Sequence, residues 1–249
     1  MANKKLKILV SGGGTGGHIF PAIAIVEALK KQTEIEVLFV GAEGRMEMEK
    51  VPACGYEIIG LPIAGFQRGF TLSNFIKNIQ LPFKVIRSLI KVMSIINKFK
   101  PDAAIGTGGY ASAPTLKMAQ WMGVPTFIQE QNALPGKTNL FLSSAAKSVF
   151  VSYEESKKYF THSDVIYTGN AIRESFLDDM VSREEAFRFF KLNPDKKTLF
   201  ITGGSLGARA INEAIADKIE MLLAEDMQII WHTGKTHYEN YKHFENDRC

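Results

Sequence analysis

One local plan occurs twice in this chain: an apolar strand, a glycine-rich turn with a hydroxyl residue, then a helix-forming stretch. Ile8-Leu9-Val10 leads into Ser11-Gly12-Gly13-Gly14-Thr15-Gly16-Gly17-His18. Leu199-Phe200-Ile201 leads into Thr202-Gly203-Gly204-Ser205-Leu206-Gly207-Ala208-Arg209. Glycine lets backbone N–H groups close on an anion, and the helix start that follows adds partial positive charge. Two such turns, each opening its own α/β unit, point to two Rossmann-like domains facing one phosphate-bearing ligand.

The rest of the chain fits that plan. Strands are predicted over Leu6–Val10, Glu36–Val40, Tyr56–Gly60, Ala103–Ile105, Thr126–Gln129 and Ser148–Val151. Helices are predicted over Gly17–Lys31, Arg45–Val51, Leu72–Phe99, Ala111–Met122, Lys137–Ala145 and Tyr153–Tyr159. Short apolar strands separated by helices mean a parallel sheet covered on both faces, with ligands at the carboxyl ends of its strands. Three glycine-rich turns fall at such ends: Gly12–Gly17, Gly41–Gly44 and Gly106–Gly109.

The pattern changes around Thr161–Arg173, so the α/β chain divides into a first domain over 1–165 and a second over 166–249. The second carries a helix near Arg183–Phe190, strand Thr198–Thr202, helix Ala208–Ala224, strand Gln228–His232 and a helix near Tyr238–Phe244. Two strands and their helices bury too little apolar surface for an independent domain. The expectation is a fragment lacking most of its second domain. The alternative is that the last part packs on the first sheet.

Composition narrows the class. Of 249 residues, 45% are hydrophobic and 22% charged, as in soluble globular proteins, and a net charge of +4 is too mild to imply nucleic acid. Two cysteines, Cys54 and Cys249, exclude a disulfide framework or a cysteine-rich zinc site and suit a reducing compartment. The basic start, Met1 to Lys7, precedes an apolar stretch too short for a signal peptide, and no run is long and uncharged enough to cross a bilayer.

The charge is unevenly placed. Between Ile58 and Pro101 there is no Asp or Glu, while Arg68, Lys77, Lys84, Arg87, Lys91, Lys98 and Lys100 give +7, so the rest of the chain carries −3. Within this segment Leu72, Phe75, Ile79, Phe83, Ile86, Ile90 and Met93 recur at helical spacing. Lys77, Lys84, Lys91 and Lys98 recur every seven residues, and Pro82 either kinks the helix or begins a second one. Part of the apolar face must be core. Apolar side chains beside Lys and Arg, with no acid, also suit an anionic membrane surface.

Several groups carry chemistry. Gly12-x-Gly14-x-x-Gly17 fits a dinucleotide fingerprint, but Phe39-Val40-Gly41-Ala42 stands where its acidic residue belongs, and His18 holds the lysine position of a phosphate-binding loop. His18 opens a helix, where the dipole favours the neutral imidazole; it either accepts a proton or only hydrogen-bonds. Gln129-Glu130-Gln131-Asn132 ends a strand and is either a site edge or a plain polar loop, and Arg173, at the domain junction, either reaches a diphosphate or is a solvated surface residue. No Asp-x-Asp pair or His/Cys cluster fits a metal, and no nucleophile elbow is present.

In order along the chain come Gly12–His18 followed by Pro21, Gly106-Thr107-Gly108-Gly109-Tyr110, Glu130-Gln131-Asn132, Gly169-Asn170 with Arg173, and Gly203–Arg209. This set strongly resembles the MurG family, the bacterial undecaprenyldiphospho-muramoylpentapeptide β-N-acetylglucosaminyltransferases of glycosyltransferase family 28. The resemblance covers essentially the whole chain. It implies a GT-B architecture, two Rossmann-like domains with a cleft between them, the second incomplete here. It implies inverting transfer of GlcNAc from UDP-GlcNAc to the C4 hydroxyl of the muramoyl sugar of lipid I, forming lipid II for peptidoglycan synthesis.

The resemblance also implies roles. Donor contacts fall on Thr15, Gly16, Gly17, Asn132, Arg173 and Ser205. The base is His18, with Glu130 as the alternative. The membrane and acceptor patch comprises Phe75, Ile79, Phe83, Lys84, Arg87 and Trp121. No metal or other cofactor is implied. The location implied is peripheral, on the cytoplasmic face of the inner membrane, with an anionic lipid surface and cell-wall synthesis proteins as candidate partners and no nucleic acid. Two positions depart from the family: Gln129 stands where His is usual, and Ala171 where Pro is usual. The residues that grip the uracil and the donor sugar's hydroxyls would lie beyond Cys249, so the chain alone is expected to be inactive. Other readings are a UDP-GlcNAc 2-epimerase or related UDP-sugar enzyme, and a non-catalytic membrane-associated nucleotide-binding protein.

Overall fold

In the computed structural model the first apolar run becomes β1 (Leu6–Gly12), buried on both faces. Ile8 and Val10 pack with Ile19, Ala22, Ile23 and Val26 of α1 (Gly16–Gln32), while Leu9 packs on the opposite face with Val92, Ile95 and Ile96 of α3 (Leu81–Phe99). Each such side chain taken out of water contributes about 1.5–3 kcal/mol. The structure describes residues 5–65, 78–161, 164–173, 181–204 and 206–246.

Between and after these elements come β2 (Ile35–Ala42), α2 (Glu47–Ala53) and β3 (Ile58–Leu61). Then follow β4 (Ala103–Gly108), α4 (Ser112–Trp121), β5 (Thr126–Glu130), α5 (Lys137–Ser143), β6 (Ser148–Val151), a 3-10 turn over Glu154–Tyr159 and β7 (Asp164–Tyr167). The strands form a parallel sheet in the order β3-β2-β1-β4-β5-β6-β7. The order reverses between β1 and β4. Connections leaving the two strands diverge there, which opens a crevice at their carboxyl ends. The Gly12–Gly17 and Gly106–Gly109 turns meet at that point, and β5 delivers Gln129–Asn132 next to it.

The chain divides into two compact units between Asp178 and Asp179. The boundary anticipated at 165/166 falls inside β7, which pairs with β6 and belongs to the first sheet. The second unit holds α6 (Arg183–Phe189), β8 (Lys197–Thr202), α7 (Arg209–Ala216), α8 (Ile219–Ala224), β9 (Met227–His232) and α9 (Tyr238–Tyr241). β8 and β9 pair in parallel, and Ile201, Ile219, Leu223 and Ile229 form the core. The single helix expected over Ala208–Ala224 is broken at Asp217–Lys218, and the second piece packs Ile219 and Leu223 against the strands.

Helix α3 corrects another expectation. Pro82 sits in its first turn, where the missing N–H costs nothing. The apolar stripe read from the sequence is not the face turned to the core. Val92, Ile95 and Ile96 are buried, with Leu81, Val85 and Phe99 beside them, whereas Ile79, Phe83, Ile86, Ile90 and Met93 remain 42–69% exposed. The sequence has two apolar stripes with the same spacing, and periodicity does not say which one meets a sheet. Leu72 and Phe75 lie outside the described residues.

Candidate functional site

The site is built where the first two glycine turns touch. Gly109 has φ +91°, and a Cβ there would lie 2.2 Å from the Gly13 carbonyl oxygen. The Gly13 N–H donates to the Gly108 carbonyl at 3.2 Å, and the Thr107 hydroxyl donates to the His18 carbonyl at 2.7 Å. The carboxyl ends of β1 and β4 are thus locked together under the start of α1.

A buried acid supports the turn from below. Glu47, fully buried at the start of α2, accepts the Gly14 N–H at 2.9 Å and the Ala42 N–H at 3.0 Å. A Cβ on Gly13 would come within 2.2 Å of the Glu47 Oε1. The sequence showed no sign of this role, because Glu47 shares a short predicted helix with Arg45, Glu49 and Lys50 and reads like them as helix surface.

His18 lies in the first turn of α1, half-buried, with its Nδ1 3.0 Å from the Gln131 Oε1. Gln131 in turn donates from Nε2 to the carbonyls of Thr107 (2.9 Å) and Gln129 (3.1 Å) and to the Gln129 side-chain oxygen. His18 and the Gln129–Asn132 edge, separate features of the sequence, therefore form one network.

Glu130, the alternative base, closes β5. It is 1% exposed, and four donors converge on it: the Asn132 N–H (2.9 Å) and Nδ2 (2.8 Å) at Oε1, the Gly136 N–H (3.0 Å) and Asn139 Nδ2 (2.9 Å) at Oε2. A carboxylate so engaged holds the Asn132–Gly136 loop and the start of α5; its lone pairs are committed. Asn132 is exposed, with its amide nitrogen on Glu130.

Arg173 gains a partner that the sequence did not reveal. Its guanidinium lies 4.6 Å from the ring centre of Phe20, a cation–π contact, and that ring also covers Gly16, whose Cβ would lie 3.0 Å from it. Arg173 is thereby held beside the first glycine turn, with Thr15, Gly16 and Gly17 at the open start of α1. Ser205 and Phe75 lie outside the described residues. Ile79, just before α3, and Phe83 and Arg87 on it are exposed, and Lys84 is half-buried; Trp121, 63% exposed at the end of α4, shares the Lys117 ammonium with Phe141 at 5.7 and 5.3 Å.

In the second unit the Gly203–Gly207 turn packs on the end of β9. Gly207 has φ +78°, and a Cβ there would lie 1.9 Å from the Thr233 carbonyl oxygen. Buried Asn212 donates to that carbonyl at 2.9 Å and accepts from the Trp231 indole at 3.1 Å. Arg209 is bound by Glu213 at 2.7 Å, a hydrogen bond that raises its pKa further. Among the described residues no group of three or more His, Cys, Asp or Glu is placed to hold a metal, and no helix is long and apolar enough to cross a membrane.

Residues 8–151 match the glycosyltransferase family 28 N-terminal domain and residues 198–247 its C-terminal domain. A Phocaeicola vulgatus protein named UDP-N-acetylglucosamine--N-acetylmuramyl-(pentapeptide) pyrophosphoryl-undecaprenol N-acetylglucosamine transferase is 52% identical over 233 residues, 93% of this chain and 61% of that protein. A protein of the same name from Flavobacterium psychrophilum is 49% identical over 97% of this chain and 65% of its own length. The chain therefore spans less than two thirds of these relatives. Among solved structures, Acinetobacter baumannii MurG superposes with a TM-score of 0.66 at 26% identity, covering 96% of this chain and 64% of that one. UDP-GlcNAc 2-epimerase from Methanocaldococcus jannaschii gives 0.60 at 16% identity, over 96% and 68%, a likeness of fold alone. With both domain models matched in order around the two glycine turns, the chain belongs to glycosyltransferase family 28.

Proposed function

We propose that this chain supplies the acceptor unit and the first part of the donor unit of an inverting transferase that moves GlcNAc from UDP-GlcNAc to the C4 hydroxyl of the muramoyl sugar of lipid I. The observation that carries this reading is His18, held by Gln131 at the strand-order reversal of the first sheet. The names borne by relatives at about half identity supply the substrates. The epimerase reading is weaker, since it rests on fold likeness at 16% identity.

In the mechanism, His18 accepts the proton of the acceptor hydroxyl as its oxygen attacks the anomeric carbon. The bond from that carbon to the UDP oxygen breaks, and the electron pair leaves with UDP. Such base catalysis typically contributes about a hundred- to ten-thousandfold. Glu130, committed to four donors, shapes the loop that carries Asn132 rather than taking the proton. The growing negative charge of the diphosphate is met electrostatically, by the helix start that follows the second glycine turn in the second unit and by a guanidinium, Arg173, that the first unit supplies, and no metal is required. The exposed stripe Phe83, Ile86, Ile90 and Met93, with Lys84 and Arg87 near it, attaches the first unit peripherally to the anionic cytoplasmic face of the membrane, where cell-wall synthesis proteins would meet it.

The test is product analysis with the full-length gene product, UDP-GlcNAc and a soluble lipid I analogue. The expected product is the β-linked disaccharide. Recovery of a 2-epimerised UDP-sugar with no disaccharide would replace this reading with the epimerase one.

A further inference from the structure

The hydrogen bonds around Gln131 determine more than its position. Its Nε2 faces two main-chain carbonyls, Thr107 at 2.9 Å and Gln129 at 3.1 Å. A main-chain carbonyl only accepts, so the amide has one orientation: turned over, its oxygen would oppose both carbonyls. The third neighbour of Nε2 is the Gln129 side-chain oxygen, and the Gln129 Nε2 meets the Ser152 hydroxyl at 3.0 Å. Gln129 is 3% exposed and Ser152 7%, so water does not compete freely for these contacts.

That leaves the Gln131 Oε1 facing the His18 Nδ1 at 3.0 Å. An amide oxygen cannot donate, so Nδ1 must carry the hydrogen and the neutral ring keeps its lone pair on Nε2. We propose that Gln131 is a positioning residue that fixes His18 in the Nδ1–H tautomer, so that Nε2 is the atom that takes the acceptor's proton. This rests on the reading of His18 as the base. During transfer the hydroxyl proton goes to Nε2, the hydroxyl oxygen bonds to the anomeric carbon, and UDP departs with the electron pair. The resulting imidazolium keeps its Nδ1–H on Gln131 and afterwards releases the Nε2 proton to solvent.

The test is long-range proton–nitrogen correlation NMR of the full-length gene product labelled with nitrogen-15 histidine, with His18 assigned by its loss in His18→Gln. The expected neutral-state spectrum shows a protonated Nδ1 and a bare Nε2. A protonated Nε2 in the unaltered protein overturns the proposal. Gln131→Met keeps the length of the side chain and removes its hydrogen bonds; it should move His18 toward Nε2–H and lower kcat on the order of ten- to a hundredfold. A Gln131→Met protein that keeps the Nδ1–H tautomer also overturns it. The base reading fails separately: if His18→Ala leaves kcat intact while the spectrum shows Nδ1–H, the tautomer assignment stands and the role of base passes elsewhere.

Discussion

The Glu47 carboxylate accepts the Gly14 N–H at 2.9 Å and the Ala42 N–H at 3.0 Å, fastening the first glycine turn to the end of β2. Gly13 has no room for a side chain because that carboxylate fills the space. Gly13→Ala must displace Glu47 and leave two buried N–H groups without partners, at about 1–3 kcal/mol each. In a Glu47→Ala background the space is open, and Gly13→Ala should cost much less. Urea unfolding of the four proteins of this double-mutant cycle checks the coupling. Additive costs would mean that the two residues do not share the space.

His18→Ala and Glu130→Gln should separate proton transfer from loop support. His18→Ala is expected to lower kcat at least about a hundredfold with little change in stability. Glu130→Gln loses acceptance at one of two oxygens that together hold four donors, and should destabilise the first unit by about 1–3 kcal/mol. Its kcat per folded molecule should stay well above that of His18→Ala. A loss confined to KM in His18→Ala would make His18 a binding residue.

Vesicle co-sedimentation tests the face of α3. Each basic residue near an anionic surface contributes roughly 1 kcal/mol, so Lys84→Glu with Arg87→Glu should weaken binding at least about tenfold at low salt. Phe83→Ser removes a 69% exposed ring and should weaken binding by an amount that salt does not change. Equal binding by all the variants would detach this helix from the membrane.

Transfer by the full-length gene product should survive EDTA. Activity lost with the chelator and restored by Mg²⁺ would transfer stabilisation of the leaving group from backbone N–H groups and Arg173 to a metal.

Gly207→Ala tests the second turn. Its φ of +78° and the Thr233 carbonyl oxygen, which stands where a Cβ would go, leave no place for a methyl group. The positive φ alone costs about 1–2 kcal/mol. The expected outcome is a raised KM for UDP-GlcNAc, with vesicle binding unchanged. An unaltered KM would remove this turn from the donor site.

What was legible in the sequence is what neighbouring residues decide among themselves. Apolar runs and glycines fixed β1 to β6, β8, β9 and the turns between them, because strand pleat, helical period and the conformations open to glycine are local properties. β7 (Asp164–Tyr167) was missed although Val165-Ile166-Tyr167 is apolar, because the run is only three residues long and lies, largely exposed, at a sheet edge. The sequence also marked the residues of the site by type, but not their partners. Gln131 meets His18 across 113 positions and Glu47 meets Gly14 across 33, and Arg173 rests on Phe20. Only the strand order, which sets β1 beside β4 and β4 beside β5, brings these groups together. The same holds for α3: the sequence wrote two apolar stripes, and the sheet, by covering Val92, Ile95 and Ile96, decided which one was left facing out.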